Sequence, residues 1–305
     1  MNAHHILISP RRLGRLLAGC SVCCFFAAAL PSCSNIDEDE RLTIIDRTVR
    51  IDSTATTPDA ADSLYQLPYA PAPANILIED HTGQSCPNCP DGTSIINQIV
   101  LANGNRIVPV AIHSEMQGIM EPEGLGTALG NTYYQHWNIE FKPAALVNRM
   151  DFGGMRVLDK TVWSMAVSYV LTNVTADAPN LRIVARQSDS NPQQADIKVK
   201  VLTAPATAAS SGQLQVWITE DDITALQDQN GTIIRDYTHN HVLRAAVNGD
   251  WGEAINWGGA DASRELHYTA TLQPGWNTKN LGIVAFVYND DGVVQVDKTK
   301  LTTKQ

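Results

Sequence analysis

The stretch ILIEDHTGQSCPNCPDG, residues 76–92, carries the strongest fold signal in the chain. Its first residues, Ile76–Asp80, form a short apolar run that is typical of a buried strand. Cys86 and Cys89 follow in a loop, and the apolar residues after Cys89 recur at helical spacing. The stretch therefore predicts a strand, a Cys-x-x-Cys loop and a helix that begins at the second cysteine.

This context favours redox chemistry at the cysteine pair. A thiol near a helix N-terminus faces free backbone N–H groups and the positive end of the helix dipole, which lower its pKa. In thiol–disulfide exchange, Cys86 is then the nucleophile and Cys89 resolves the mixed disulfide. Two other interpretations stay open: a local disulfide that fastens the loop, and a zinc site completed by His81 and His113. The zinc interpretation is the weaker one, because a closed site needs four ligands and a second cysteine pair is missing.

The N-terminus predicts export. Three arginines precede the uncharged, apolar run Leu16–Leu30, and LPSC follows at residues 30–33. We interpret residues 1–32 as a lipoprotein signal peptide and Cys33 as the lipidated first mature residue. The alternative LAGC, ending at Cys20, fits the lipobox consensus better but has no apolar stretch before it. An ordinary signal peptide cleaved near Ser32 is a second alternative.

Removal of the signal peptide simplifies the cysteine chemistry. Three cysteines leave with residues 1–32 and Cys33 carries lipid, so only Cys86 and Cys89 remain as thiols in an oxidising compartment. The mature chain then has 19 basic and 32 acidic residues, a formal balance of −13. This charge argues against nucleic acid as a partner. The outer membrane, reached through the lipid, and an unknown protein or glycan are the partners that we expect, and no cofactor is indicated.

Composition divides the mature chain into three parts. Residues 33–74 are rich in Ser, Thr, Asp, Ala and Pro, which predicts a flexible tether. Residues 75–176 are predicted to be α/β, with a second strand at Arg106–His113, a third beginning beside Pro143, and a long helix over residues 157–174. Residues 177–305 contain seven short alternating segments separated by turn signals such as QNG at residues 229–231, which predicts a β-sandwich.

Two further groups of residues are candidates for binding. His239 and His241 share a face if they lie on one strand, and Asp236 is near them, so they are a possible metal site. Exposed polar residues are the more ordinary interpretation. Trp251, Trp257 and Trp276 lie in loops rich in Gly and Asn, where aromatic side chains either contact a ligand or cover the edge of a core.

The order of strand, Cys-x-x-Cys, helix, strand, insertion, proline, strand and helix resembles the thioredoxin fold. That resemblance implies that Pro143 lies beside the cysteines and follows a cis peptide bond. The chain departs from catalytic thioredoxins in several places. Ser85 replaces the usual aromatic residue, and Asp91 places a negative charge near the thiol. Glu79 and Asp80 are the nearby carboxylates, and neither is assigned as the proton acceptor.

The segments NILIEDHTGQSCPNCPDG and HVLRAAVNGDWGE resemble the outer membrane protein twenty-eight family, surface lipoproteins of the Bacteroidetes. This resemblance implies an α/β thioredoxin-like domain followed by an all-β sandwich, attached to the outer membrane. The acidic SNIDEDE after Cys33 is similar to the signal that sends such lipoproteins to the cell surface.

We therefore expect a surface binding or interaction module with a Cys86–Cys89 disulfide. An envelope-tethered thiol–disulfide oxidoreductase, with Cys86, Cys89 and Pro143 as its redox site, is the alternative.

Overall fold

A computed structural model describes residues 58–173 and 177–303, with side chains from Asp62 onward. The predicted signal peptide, Cys33 and the first part of the predicted tether lie outside these residues. In the described part, the helices are α1 (Pro58–Tyr65), α2 (Cys89–Asn103), α3 (Ala128–His136) and α4 (Trp163–Asn173). Short 3-10 turns cover Gly104–Arg106, Lys160–Val162 and Thr278–Asn280.

Strands dominate the described structure. The first four are β1 (Ile76–Thr82), β2 (Ile107–His113), β3 (Ala144–Val147) and β4 (Leu158–Asp159). The other ten are β5 (Asn180–Gln187), β6 (Gln194–Leu202), β7 (Ser210–Glu220), β8 (Ile223–Gln229), β9 (Thr232–His239), β10 (Val242–Ala246), β11 (Glu253–Trp257), β12 (Ser263–Thr271), β13 (Leu281–Asn289) and β14 (Gly292–Lys300).

One mixed sheet of nine strands runs through both halves of the chain. Its order is β14-β13-β7-β10-β2-β1-β3-β4, and β11 also pairs with β7. Strand β1 is parallel to β2 and antiparallel to β3. Strands β10 and β2 join the halves in parallel, with Val242 opposite Ala111 and the Ala111 N–H donating to His241 O at 2.8 Å. The α/β and all-β parts that the sequence predicts therefore share a sheet.

The two faces of β1 have different surroundings, because successive side chains of a strand point to opposite sides. Ile76 and Ile78 pack in an apolar core with α2 and α4. Leu77 lies in a second core on the opposite face, together with Tyr133 of α3 and Trp217 of β7. The strand is buried along its whole length, so both faces are covered by other elements.

The later strands form a second layered arrangement. Strands β12, β6 and β5 make a separate three-stranded sheet. Side chains of β5 and β6, including Ile197 and Val199, share one apolar core with Val216 of β7 and Ile283 of β13. Two sheets facing each other across such a core are the arrangement that the alternating segments predict.

Three local features differ from the sequence predictions. The helix predicted over residues 157–174 begins only at Trp163. Leu158 lies in β4, where it pairs with Ala145 of β3, and the Asp159 side chain accepts a hydrogen bond from the Thr161 N–H. Strands β8, β9 and β11 were not predicted. Within the predicted tether, α1 is helical and Tyr65 is buried against Val184.

Candidate functional site

A disulfide joins Cys86 to Cys89 at the end of the loop that follows β1. Each cysteine is only 1% exposed. Helix α2 begins at Cys89, with Pro90 in its first turn where no intrahelical N–H donor is needed. The Cys89 N–H donates to Cys86 O at 3.2 Å. The strand, loop and helix predicted from residues 76–92 are all present.

Pro143 packs against the start of α2. The Lys142–Pro143 peptide bond is cis, as predicted. Gly92 lies in the first turn of α2, and a Cβ atom there would be 3.0 Å from Pro143 Cβ and 3.0 Å from the Trp163 ring. The absence of a side chain at residue 92 therefore permits the close approach of the helix to Pro143.

Lys142 holds the segment before Pro143 in place. Its Nζ is buried and donates to Thr82 O at 2.6 Å, to Ser114 Oγ at 2.8 Å and to Met116 O at 2.7 Å. Burial lowers the pKa of Lys142 to about 8, while the neighbouring Asp80 carboxylate opposes that shift. The lysine thus ties the end of β1 to the loop after β2.

Asp80 is a buried carboxyl group on the α2 side of β1. Burial raises its pKa to about 7, and the positive charge of Lys142 opposes the shift. Its Oδ1 has no hydrogen-bond partner. A carboxyl group with this pKa exchanges protons near neutral pH, as a general acid or base must.

Three buried histidines surround the same region and are uncharged at neutral pH. Burial lowers the pKa of His81 to about 3 and that of His239 to about 4. Burial, with the neighbouring His239, holds the pKa of His113 well below its usual range. The rings of His113 and His239 are 5.6 Å apart. His81 and His113, the histidine ligands of the zinc interpretation, are therefore buried and neutral. The two cysteine sulfurs are bonded to each other.

The hairpin formed by β8 and β9 lies against the cysteine loop. The Asp228 N–H donates to Gln84 O at 2.7 Å, and the Asn230 N–H donates to Pro87 O at 3.0 Å. Gln227 Nε2 donates to Gly83 O at 3.2 Å and to Cys86 O at 3.1 Å. The second half of the chain thus contributes residues to the surroundings of the disulfide.

Glu79, the other carboxylate near the loop, has a different role from Asp80. It points to the opposite face of β1 and accepts two hydrogen bonds from Arg149, at 2.8 Å each. Both side chains are buried, at 0% and 2% exposure. Five aromatic rings lie within 6.0 Å of the guanidinium, those of Trp137, Trp217, Trp251, Phe286 and Tyr288. Glu79 is therefore part of a structural ion pair.

The other candidate residues do not form one site. His239 ends β9 and packs on His113, whereas His241 lies in the turn before β10 and its Nδ1 is 3.0 Å from Asp221. In the described part of the chain, no group of three metal-ligating side chains lies together. The tryptophans cover core edges: Trp257 belongs to the core between the two sheets, and Trp276 and Trp251 pack against apolar clusters.

Sequence reasoning missed three residues near the disulfide. Lys142 was visible only as the neighbour of Pro143, while Gln227 and Tyr237 lie about 140 residues further along the chain. Tyr237 is close to Thr93 and Asp80, and burial together with the Asp80 charge raises its pKa. No local pattern identifies these residues, because their position depends on the path of the hairpin.

Comparison with solved structures supports the overall fold. HBP35 of Porphyromonas gingivalis aligns with a TM-score of 0.60 and 16% identity, over 76% of this chain and 77% of that one. A domain of the outer membrane lipoprotein Omp28 from the same organism is 26% identical over 43% of this chain and 93% of its own, with a TM-score of 0.32. No curated protein matches the sequence.

The family comparison defines the class of protein. The family model described as outer membrane protein Omp28 matches residues 130–305, more than half of the chain. This is an outer-membrane protein of a lipoprotein family. The chain belongs to the Omp28 family, as its resemblance predicted. Within residues 58–173 and 177–303, no helix has the length and apolar character needed to cross a membrane.

Proposed function

We propose that this protein is a binding or interaction module of the outer membrane, with its Cys86–Cys89 disulfide in a thioredoxin-like site. The burial of the disulfide carries this proposal, because each cysteine is 1% exposed beneath the β8–β9 hairpin. A bond that partner thiols do not reach is suited to stiffening a loop. We infer that the ligand is a protein or a glycan, because the formal charge of −10 opposes binding to nucleic acid.

The order of elements supports a thioredoxin-like arrangement for residues 75–176, followed by a β-sandwich over residues 177–305. Strand β1, the cysteines, α2 and β2 come first, and the inserted loop, Pro143, β3 and α4 follow. The contact of Gly92 with Pro143 brings the helix start and the cis-proline together. Both features match the pattern that the sequence predicts.

The reduction potential of the disulfide tests the structural role. We expect a potential below about −300 mV and no exchange with glutathione, which are typical of structural bridges. A potential near that of the glutathione pool, with rapid exchange, would contradict this role. The measurement uses purified protein equilibrated in glutathione buffers, with the free thiols counted by alkylation.

A thiol–disulfide oxidoreductase is the second candidate function, and the position and pKa of Asp80 favour it. The thiolate of a substrate attacks the disulfide at Cys86, forms a mixed disulfide and releases the Cys89 thiolate. The second substrate thiol then breaks the mixed disulfide, so the substrate dithiol is oxidised and the protein disulfide is reduced. Asp80 lies on the α2 side of β1, and with a pKa of about 7 it is suited to exchanging protons near neutral pH during such a reaction.

Trapping separates the two functions. A Cys89→Ser variant keeps the Cys86 thiol without its resolving partner, so an oxidoreductase should accumulate disulfide-linked partners in the envelope. The matched Cys86→Ser variant keeps only the resolving Cys89 thiol, which substrate does not attack in this scheme, and should trap far fewer. Equal, background levels of trapped protein in both variants would exclude the oxidoreductase.

The lipid anchor at Cys33 is tested independently of the site. Cys33→Ser should abolish incorporation of labelled palmitate and release the protein from membranes, because the proposed lipid is attached through that thiol. Cys20→Ser is the control, since it alters the other lipobox, and it should keep the label. Loss of label from Cys20→Ser alone would move the anchor to that residue. Antibody access on intact cells then distinguishes the cell surface from the periplasmic face.

A further inference from the structure

The β8–β9 hairpin is built differently from the rest of the described structure. It leaves the large sheet after β7 and returns at β10, and its two strands pair with each other as a separate two-stranded sheet. The turn between them has Asn230 and Gly231 at φ of +53° and +83°. These values suit the tight type I′ turn favoured by an Asn-Gly pair. The hairpin is therefore a self-contained unit resting on the cysteine loop.

Hydrogen bonds hold the hairpin to that loop. Asp228 of β8 and Asn230 of the turn donate their N–H groups to Gln84 O and Pro87 O. The Gln227 side chain adds its bonds to Gly83 O and Cys86 O. In the opposite direction, Gln84 Nε2 donates to Leu226 O at 3.1 Å.

Strand β9 extends the contact toward the start of α2. Tyr237 approaches Thr93 and Asp80, and the ring of His239 lies against His113. The hairpin thus touches the loop before Cys86, the first turn after Cys89 and the region of Asp80. An attacking thiol has to reach a sulfur that these contacts enclose.

Apolar burial contributes little to the attachment of the hairpin. Within the described residues, no hairpin side chain belongs to an apolar core cluster. The two buried side chains of the hairpin, Gln227 and His239, are polar, and Ile233 is 51% exposed. Segments with few apolar contacts open locally at a lower free energy than the whole protein unfolds.

We propose that the β8–β9 hairpin is a lid that must open before the Cys86–Cys89 disulfide reacts. Opening exchanges the hydrogen bonds of the lid for bonds to water and leaves the large sheet intact. The inference goes beyond the proposed function, because it concerns access to the bond. It applies whether the disulfide is structural or catalytic.

Reduction by a water-soluble phosphine tests the lid. The phosphorus attacks one sulfur and releases the other as a thiolate, and water then converts the adduct to phosphine oxide and the second thiol. The reaction is irreversible, so it goes to completion whatever the reduction potential of the disulfide, and its rate reports access to the sulfurs. Failure of the lid and failure of the oxidoreductase function are therefore distinguishable.

The decisive variant is Gln227→Ala, measured beside Gln229→Ala. Removing the Gln227 amide deletes its hydrogen bonds to Gly83 O and Cys86 O, which form in the closed state only, so the closed state is selectively weakened. We expect the rate of thiol appearance to rise about tenfold, as the loss of one or two such bonds implies. Gln229 is exposed on the same strand, and its variant should react within about twofold of the wild-type rate.

Equal rates for Gln227→Ala and the wild type would overturn the proposal, as would an equal acceleration in Gln229→Ala. Hydrogen exchange of the wild type gives a second test that needs no variant. The amides of Asp228 and Asn230 should exchange through a local opening whose free energy depends little on urea concentration. The amide of Ile78 in β1 should exchange only on global unfolding. Exchange of all three at the global rate would show that the hairpin does not open by itself.

Discussion

Two of the contacts between the first and second halves of the chain differ in kind. At one, Arg149 after β3 pairs with Glu79 and lies among aromatic rings, four of which come from the second half of the chain, those of Trp217, Trp251, Phe286 and Tyr288. At the other, the β8–β9 hairpin rests on the cysteine loop through hydrogen bonds. A buried charge pair leaves no partly broken state of low energy, whereas a segment held by hydrogen bonds, with few apolar contacts, opens locally at a lower free energy. The first contact is suited to fixing the two halves together, and the second to opening.

The largest expected effect comes from breaking the first contact. Arg149→Leu removes the cation and leaves the Glu79 carboxylate buried without a partner, which typically costs 3–5 kcal/mol. We expect a loss of that size in the free energy of unfolding, measured by urea denaturation at neutral pH. A loss below about 1 kcal/mol would mean that the ion pair does not stabilise the junction. Glu79→Gln with Arg149→Leu should recover part of the loss, because no charge then remains buried.

A pH-dependent effect is expected at Asp80. Its pKa in the folded protein is raised to about 7, so between about pH 4 and pH 7 the folded state holds a proton that the unfolded state has lost. This group therefore destabilises the fold as pH rises through that window. Asp80→Asn should be more stable than the wild type by on the order of 2–4 kcal/mol at pH 7 and show no gain below pH 4.

Urea denaturation of Asp80→Asn and the wild type at several pH values measures this difference. The buried histidines act in the opposite direction, because their pKa values are lowered, but they are the same in both proteins and cancel. A stability difference that does not change with pH would show that Asp80 does not titrate in this window.

A smaller effect is expected at the contact between α2 and Pro143. Gly92→Val places a side chain where Pro143 and Trp163 already lie within 3.0 Å of the Cβ position. Overpacking of this kind costs about 1–3 kcal/mol. Ser94→Ala, two residues along the same helix and exposed, is the control and should change the free energy of unfolding by less than about 0.5 kcal/mol. Unchanged stability in Gly92→Val would mean that the helix is not held against the proline.

The smallest effect is expected at the surface ion pair near the site. Lys160 Nζ is 2.9 Å from Asp91 Oδ2, with the two side chains 24% and 53% exposed. Solvent and salt screen such a pair, so Lys160→Ala should cost less than about 1 kcal/mol, and the cost should fall in high salt. A loss as large as that of Arg149→Leu would remove the contrast between buried and exposed pairs.

The sequence predicted the elements around the cysteines because their signals are local. Ile76 and Ile78 begin a short apolar run, and the residues after Cys89 repeat at helical spacing, so β1 and α2 were both expected. The turn at Asn230 and Gly231 was also expected from its two residues. The strands on either side of it were not, because β8 and β9 are largely polar and lack the alternation of a half-buried strand.

The disulfide partners, the elements that carry them and the Omp28 family of the chain all follow from the amino-acid sequence. These features depend on the number of cysteines, on residue periodicity and on motifs formed by adjacent residues. The pairing of Glu79 with Arg149, the burial of Asp80 without such a partner, and the contact of Gln227 with a loop some 140 residues earlier became visible in the folded chain. The physical reason is that burial and pairing depend on which distant segments meet, and a strand pattern gives the face of a side chain but not its neighbour.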